Sequence, residues 1–277
     1  MTDETLLLIG CGRGNGRDVL ETHAERLETQ TETDRITTVT YDTEPEDELA
    51  ATLSKVAGER VYVMVLEMAR TPTTEHALIP QLAHIPGDVH LCRPPGRSAI
   101  VTNVIADVVR DCTPADESSP LVVVGRGSPS TPYSRAVTTY HANRLERRGP
   151  ADDVHPCYLL EDPAVEAVTE RLQCESAVAV GLWMADSPLR NDRLRSTLSG
   201  CHTEFTITRP IGKHSGITTA ILAELCAQQT IGEATVTGVG PHPPAPARPS
   251  VGGPPPAGDQ LVTESRSFAG RRGPRGE

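Results

Sequence analysis

Leu6-Leu7-Leu8-Ile9-Gly10-Cys11-Gly12 reads as a buried strand running into a glycine turn, and Leu121-Val122-Val123-Val124-Gly125-Arg126-Gly127-Ser128 repeats it 115 positions later. The repetition extends well beyond this stretch. His23-Ala24-Glu25-Arg26-Leu27 returns as His141-Ala142-Asn143-Arg144-Leu145, and Glu44-Pro45 returns as Asp162-Pro163, both at an offset of 118. Pro95-Gly96-Arg97 and Ile211-Gly212-Lys213, with glycines 116 apart, each lead into a long helical pattern. Landmarks that hold one period along the chain mark a duplicated unit.

Both units predict the same order of elements. Strands are expected at 6–9, 36–41, 61–66 and 88–92, and again at 121–124, 155–160, 177–182 and 204–208. Between them, one helix carries the His-Ala-x-Arg-Leu segment. Another opens at Glu-Pro or Asp-Pro, where a first-turn proline loses no intrahelical hydrogen bond. A third covers about 74–84 or 188–198, and the closing helix covers 98–111 or 215–228. Fully apolar strands alternating with amphipathic helices imply parallel sheets covered on both faces. The expected architecture is α/β: two tandem doubly wound parallel-sheet domains, 1–116 and 117–239, facing a cleft. Residues 240–277 are rich in Pro and Gly and end on a basic stretch, a composition that reads as a disordered tail.

Composition narrows the function. The chain has 277 residues, 37% apolar and 3% aromatic, so Val, Leu, Ile and Ala must build its core. Asp and Glu number 37 against 26 Lys and Arg, a net charge of −11, and only Lys55 and Lys213 are lysines. Such an acidic, lysine-poor, halophile-like surface suits a cytoplasmic protein at high salt. A GC-rich genome would account for the arginines but not for the excess acid. There is no basic stripe for nucleic acid. The apolar runs are too short for a membrane span, and no leader pattern for secretion is present. The seven cysteines are scattered with no CxxC spacing, which points to small buried residues in a reducing compartment rather than a zinc knuckle.

In open parallel sheets, ligands bind at the carboxyl ends of the strands. That directs attention to residues 10–17, 125–135, 67–76 and 185–191. The glycines around Gly10 do not make a dinucleotide fingerprint: a G-x-G-x-x-G frame from Gly10 needs glycine at Asn15, and one from Gly12 needs it at Arg17. No Gly-Lys-Ser/Thr occurs either, so a nucleotide-dependent oxidoreductase is disfavoured. Arg13, Arg17, Arg70, Arg126 and Arg135 all fall on strand-end loops or first helical turns. Always-charged, forked donors in those places suit a ligand fringed with carboxylates. His23 and His141 sit farther along their helices, where packing is the expected role.

The ordered landmarks resemble those of the type II chelatases. They are a strand ending in Gly-x-Gly, a His-Ala first helix, a Glu-Pro helix followed by 61–66, Ile79-Pro80, and the Pro-x-Gly turn before the last helix. Within that group the chain is most similar to the sirohydrochlorin cobaltochelatase family in its long, two-unit form, over residues 5–230. Gly125-Arg126-Gly127-Ser128 looks like that family's opening Gly-His-Gly-Ser, and Pro210-Ile211-Gly212-Lys213-His214 looks like its closing segment. The resemblance implies a chelatase that inserts a divalent metal, Co²⁺ first, into a polycarboxylate tetrapyrrole in cobalamin biosynthesis. The metal is then a substrate and no organic cofactor is needed.

The family's two metal-binding histidines are not matched. The first-loop position is Cys11 in one unit and Arg126 in the other, and the second falls near Thr74, with His76 the nearest histidine. What the resemblance then implies is Cys11 and His76 as metal ligands, with Glu67 as a further ligand or proton shuttle. Arg13, Arg17, Arg70, Arg126, Arg135 and Ser128 are expected to bind substrate. The alternative is a catalytically impaired homologue that binds or hands over the tetrapyrrole.

Overall fold

The computed structural model describes residues 3–42, 47–112, 119–149, 151, 153–186 and 188–238. One sheet contains β1 (Glu4–Cys11), β2 (Arg35–Tyr41), β3 (Arg60–Val65) and β4 (Asp88–Leu91). The other contains β5 (Leu121–Gly125), β6 (Val154–Tyr158), β7 (Ser176–Gly181) and β8 (Glu204–Ile207). All pairings are parallel, in the orders β2-β1-β3-β4 and β6-β5-β7-β8. The registers repeat as well. Leu6 pairs with Tyr62 as Leu121 pairs with Val178, and Val61 pairs with Val89 as Ala177 pairs with Phe205. Each sheet is therefore doubly wound, with its switch point beside the central β1 or β5.

Successive strand residues point to opposite faces, so each sheet contributes to two cores. Leu6, Leu8, Tyr62 and Met64 share an inner core with Leu121, Val123, Val178 and Val180 of the other sheet. That core is closed by α1 (Gly16–Glu28), α4 (Ala99–Arg110), α5 (Tyr133–Arg148) and α8 (Ser215–Gly238). In α4, Val101, Val104, Ile105 and Val108 recur at helical spacing on the buried face, and the Ser98 side chain caps the first turn by accepting from the Ile100 N–H at 3.3 Å. The outer face of the first sheet packs on α2 (Asp47–Leu53) through Leu49 and Leu53. That of the second packs on α6 (Val165–Thr169) and α7 (Pro188–Ser199) through Val165, Val168, Leu194 and Leu198. Both sheets lie in one compact unit.

The repeated histidines hold the two halves together. His23 Nε2 lies 2.6 Å from the Gly212 carbonyl and its Nδ1 2.9 Å from Thr218 Oγ1. His141 makes the mirror-image pair, 2.7 Å to the Gly96 carbonyl and 2.9 Å to Thr102 Oγ1. A carbonyl only accepts, so in each ring Nε2 carries the proton and Nδ1 accepts from the threonine. Both side chains are wholly buried. Burial pushes each imidazole down to about 4 despite the backbone hydrogen bond, so both are neutral around pH 7. The partner glycines are required for a second reason: a Cβ on Gly96 or Gly212 would run into the backbone of Met68 or Met184.

Three local expectations differ from what forms. The second helix of the second unit begins at Val165, past Asp162-Pro163, because Ala164 is extended and bridges to Tyr158. Over 74–84 the chain makes a π turn (Thr74–Leu78), α3 (Ile79–Gln81) and a 3₁₀ turn (Leu82–His84) instead of one regular helix. The closing helix α8 continues ten residues beyond 228, to Gly238. Glu44-Pro45 and the tail from 240 onward lie outside the described residues.

Candidate functional site

The carboxyl ends of β1, β3, β5 and β7 converge on a cleft of about 370 Å³ between the two sheets. The first unit lines it with Cys11, Arg13, Tyr41, Glu67 and Arg70; the second lines it with Arg126, Ser128, Trp183, Met184 and Arg190. This is where the topology puts backbone loops with free polar groups next to side chains from two switch points.

Glu67 follows β3 directly and is the most perturbed acid among the described residues. Its Oε2 accepts from Thr74 Oγ1 at 2.7 Å, while its Oε1 is buried with no partner among the described residues. Burial pushes its carboxyl up to about 8; the Thr74 hydrogen bond and the Arg70 charge offset this only in part. Thr74 is itself fixed, since its N–H donates to Thr71 Oγ1 at 3.2 Å and the two hydroxyls are 2.9 Å apart. Tyr41 stands in the same wall, and burial, followed by the negative charge of Glu67, raises its phenol well above the usual range. Such a carboxyl can hold a proton at neutral pH and give or take it near pH 8. Cys11 ends β1, half-buried, with its thiol donating to the Asp42 carbonyl at 3.0 Å.

The arginines separate into two groups. Arg17 Nη2 donates to Thr40 Oγ1 at 2.9 Å, and Arg135 Nη2 donates to Glu161 Oε2 at 2.9 Å and to the Asp162 carbonyl at 2.5 Å. Neither lines the cleft. Arg70 does line it but pairs with Glu75 at 3.4 Å. Arg13 and Arg126 also line it, exposed and without an ion pair among the described residues. Ser128 is buried at the cleft wall, and its hydroxyl accepts from the Thr131 N–H at 3.3 Å, which organises the turn. His76 is exposed on the π turn, outside the cleft lining, because Thr74 and Leu78 take the buried positions of that turn. Of the expected metal pair, Cys11 lines the cleft and His76 does not, and no group of three or more His, Cys, Asp or Glu is placed to hold a metal among the described residues.

Sequence reading missed two residues. Trp183, 4% exposed, and Arg190, whose guanidinium lies 5.9 Å from the Trp183 ring centroid, form much of the second unit's wall. The repeat itself was the available signal, since positions 116 beyond Glu67 and Thr74 are Trp183 and Arg190.

Two doubly wound domains repeated in tandem, with a polar cleft between the ends of their central strands, define the fold class of the type II chelatases. Within that class, residues 120–228, which span the second unit, match the CbiX family model. A probable sirohydrochlorin cobaltochelatase of Halobacterium salinarum is 29% identical over 101 residues, a match spanning 35% of this chain and 35% of that protein. The structure of SirB from Bacillus subtilis with Fe³⁺ superposes with a TM-score of 0.67 at 19% identity, covering 84% of this chain and 98% of that one. The sirohydrochlorin chelatase SirB from Bacillus subtilis subspecies spizizenii in complex with cobalt gives 0.65 at 16% identity, covering 85% and 98%. At these identities the structures speak for the fold. Among the described residues no helix is long and apolar enough to cross a membrane.

Proposed function

We propose that the cleft binds a polycarboxylate tetrapyrrole and inserts a divalent metal, Co²⁺ in the sirohydrochlorin step of cobalamin biosynthesis, with no organic cofactor. The observation that carries this reading is Glu67, a buried carboxyl at the switch point with one oxygen unpartnered among the described residues, in a cleft also lined by four arginines. Metal insertion exchanges two pyrrole N–H protons for one divalent cation. Glu67 accepts one of those protons at Oε1, and solvent entering the open cleft takes the other. Cys11 at the end of β1 offers the incoming metal a soft ligand. Arg13, Arg70 and Arg126 neutralise the substrate carboxylates, Arg70 by exchanging Glu75 for the ligand. Ser128 contributes by fixing the turn that carries Arg126.

A second reading is favoured by one observation: among the described residues, those lining the cleft include no histidine. It describes a homologue that binds or hands over the tetrapyrrole without metallating it. Anaerobic Co²⁺ insertion into sirohydrochlorin, followed by absorbance in high-salt buffer against a protein-free control, separates the two. Acceleration supports the chelatase. A ligand spectrum shifted by the protein with no acceleration supports the binding protein, and neither effect overturns both.

A further inference from the structure

The two walls of the cleft are built from equivalent positions with different chemistry. β3 and β7 hold the same register on their central strands, and Met68 and Met184 meet Gly96 and Gly212 in the same way. Continuing that 116-residue alignment places Glu67 at the position of Trp183 and Thr74 at that of Arg190. In the first unit the pair is an acid held by a hydroxyl at 2.7 Å. In the second it is a guanidinium seated over a buried indole.

We propose that the second unit's wall is the carboxylate-reading wall, in which Arg190 and Arg126 form a two-guanidinium clamp that selects macrocycles by their carboxylates. This rests on the tetrapyrrole reading above. Trp183 packs into the outer core, with its ring in the space that a side chain on Gly181 would need, so it is a fixed seat for Arg190. Neither Arg190 nor Arg126 makes an ion pair or side-chain hydrogen bond among the described residues; Arg17, Arg70 and Arg135 all do, and Arg13, which also makes none, stands on the first unit's side of the cleft. Asp186, the acid whose charge reaches Arg190, accepts instead from the Asn191 amide. Burial and then the nearby Arg126 charge both press the Arg190 guanidinium below its ordinary pKa. Two like charges lining one wall with no ion pair of their own among the described residues are relieved by an anion that bridges them, and a carboxylate takes a guanidinium fork bidentately. On the opposite wall, Glu67 repels carboxylates once ionised. A macrocycle therefore docks with its acidic rim toward the second unit and its pyrrole nitrogens toward Glu67 and Cys11.

Trp183 is the single tryptophan of the chain, so quenching of its fluorescence reports occupancy of this wall. Uroporphyrin, with eight carboxylates, and coproporphyrin, with four, are titrated into wild type, Arg190→Gln, Arg190→Lys and Arg126→Gln. The clamp predicts that wild type prefers uroporphyrin and that Arg190→Gln weakens uroporphyrin by about 10- to 50-fold, the size of a lost charge-assisted pair. Coproporphyrin should weaken less, so the preference collapses. Arg126→Gln should act in the same direction, and Arg190→Lys should restore only part of the loss because an ammonium lacks the fork. Equal losses for both porphyrins, or full restoration by lysine, would overturn the clamp while leaving the tetrapyrrole reading intact. No quenching of wild type by either porphyrin would overturn both.

Discussion

At the seam between the sheets the two halves are copies of each other, and in the cleft they are not. His23 and His141, Gly212 and Gly96, and Thr218 and Thr102 repeat one hydrogen-bonded arrangement with distances that agree within 0.1 Å. Across the cleft, Cys11 stands where the other half has Arg126, Glu67 where it has Trp183, and Thr74 where it has Arg190. The seam must hold the halves in one geometry, and a two-fold arrangement satisfies both sides with one set of contacts. The substrate proposed here needs a proton acceptor at its centre and cations at its rim. Identical walls would put acids on both sides or cations on both.

The largest effect expected from breaking the symmetric part is on stability. His23→Ala or His141→Ala strands a buried carbonyl and a buried hydroxyl and leaves a cavity, so each should lower the unfolding free energy by about 2–4 kcal/mol in urea titrations. Replacing both should cost nearly twice as much as replacing one, since the clasps share no residue. The same rings set an acid limit. Each imidazole falls from 6.5 to about 4 on folding, so the unfolded chain binds more protons between those values. Stability should be full above pH 6.5, decline as pH falls toward 4 and level off below, by about 3 kcal/mol per histidine. Thermal denaturation from pH 7.5 to 4 would show the decline in wild type and about half of it in either single variant.

Smaller changes sharpen the asymmetric part. Glu67 must be ionised to accept a proton, so the insertion rate should rise with pH through about 8 and level off above it. A rate that is flat from pH 6.5 to 9 would remove Glu67 from that step. At the small end, His76→Gln and Arg135→Gln should change insertion less than about twofold, because one side chain is exposed outside the cleft and the other is bound to Glu161. Insertion lost in His76→Gln would restore the histidine to the site.

The fold was legible because strands buried on both faces leave continuous apolar runs, and because the repeat fixed where each run recurs. Residues at strand carboxyl ends could likewise be placed: Cys11, Arg13, Glu67, Arg70, Arg126 and Ser128 all reach the cleft. The expected site residues that lie outside the cleft lining sit in the first turn of the element after the strand-end loop, where spacing no longer decides direction. Arg17 and Arg135 turn aside to Thr40 and Glu161, and one residue of a π turn separates buried Thr74 from exposed His76. Arg190 lies inside α7, and only the alignment of the halves marks it. The orphaned oxygen and raised pKa of Glu67 depend on packing that no linear pattern encodes.

The central claim is that Glu67 on one wall moves the proton while the guanidinium pair on the other selects the ligand. Its most direct test is Glu67→Gln, assayed for Co²⁺ insertion and for tryptophan quenching by uroporphyrin in parallel. The account predicts insertion slowed by about 10²- to 10⁴-fold, the range for a lost general base, with the quenching midpoint nearly unchanged. Insertion that survives the substitution, or binding that falls in step with it, would contradict the division between the walls.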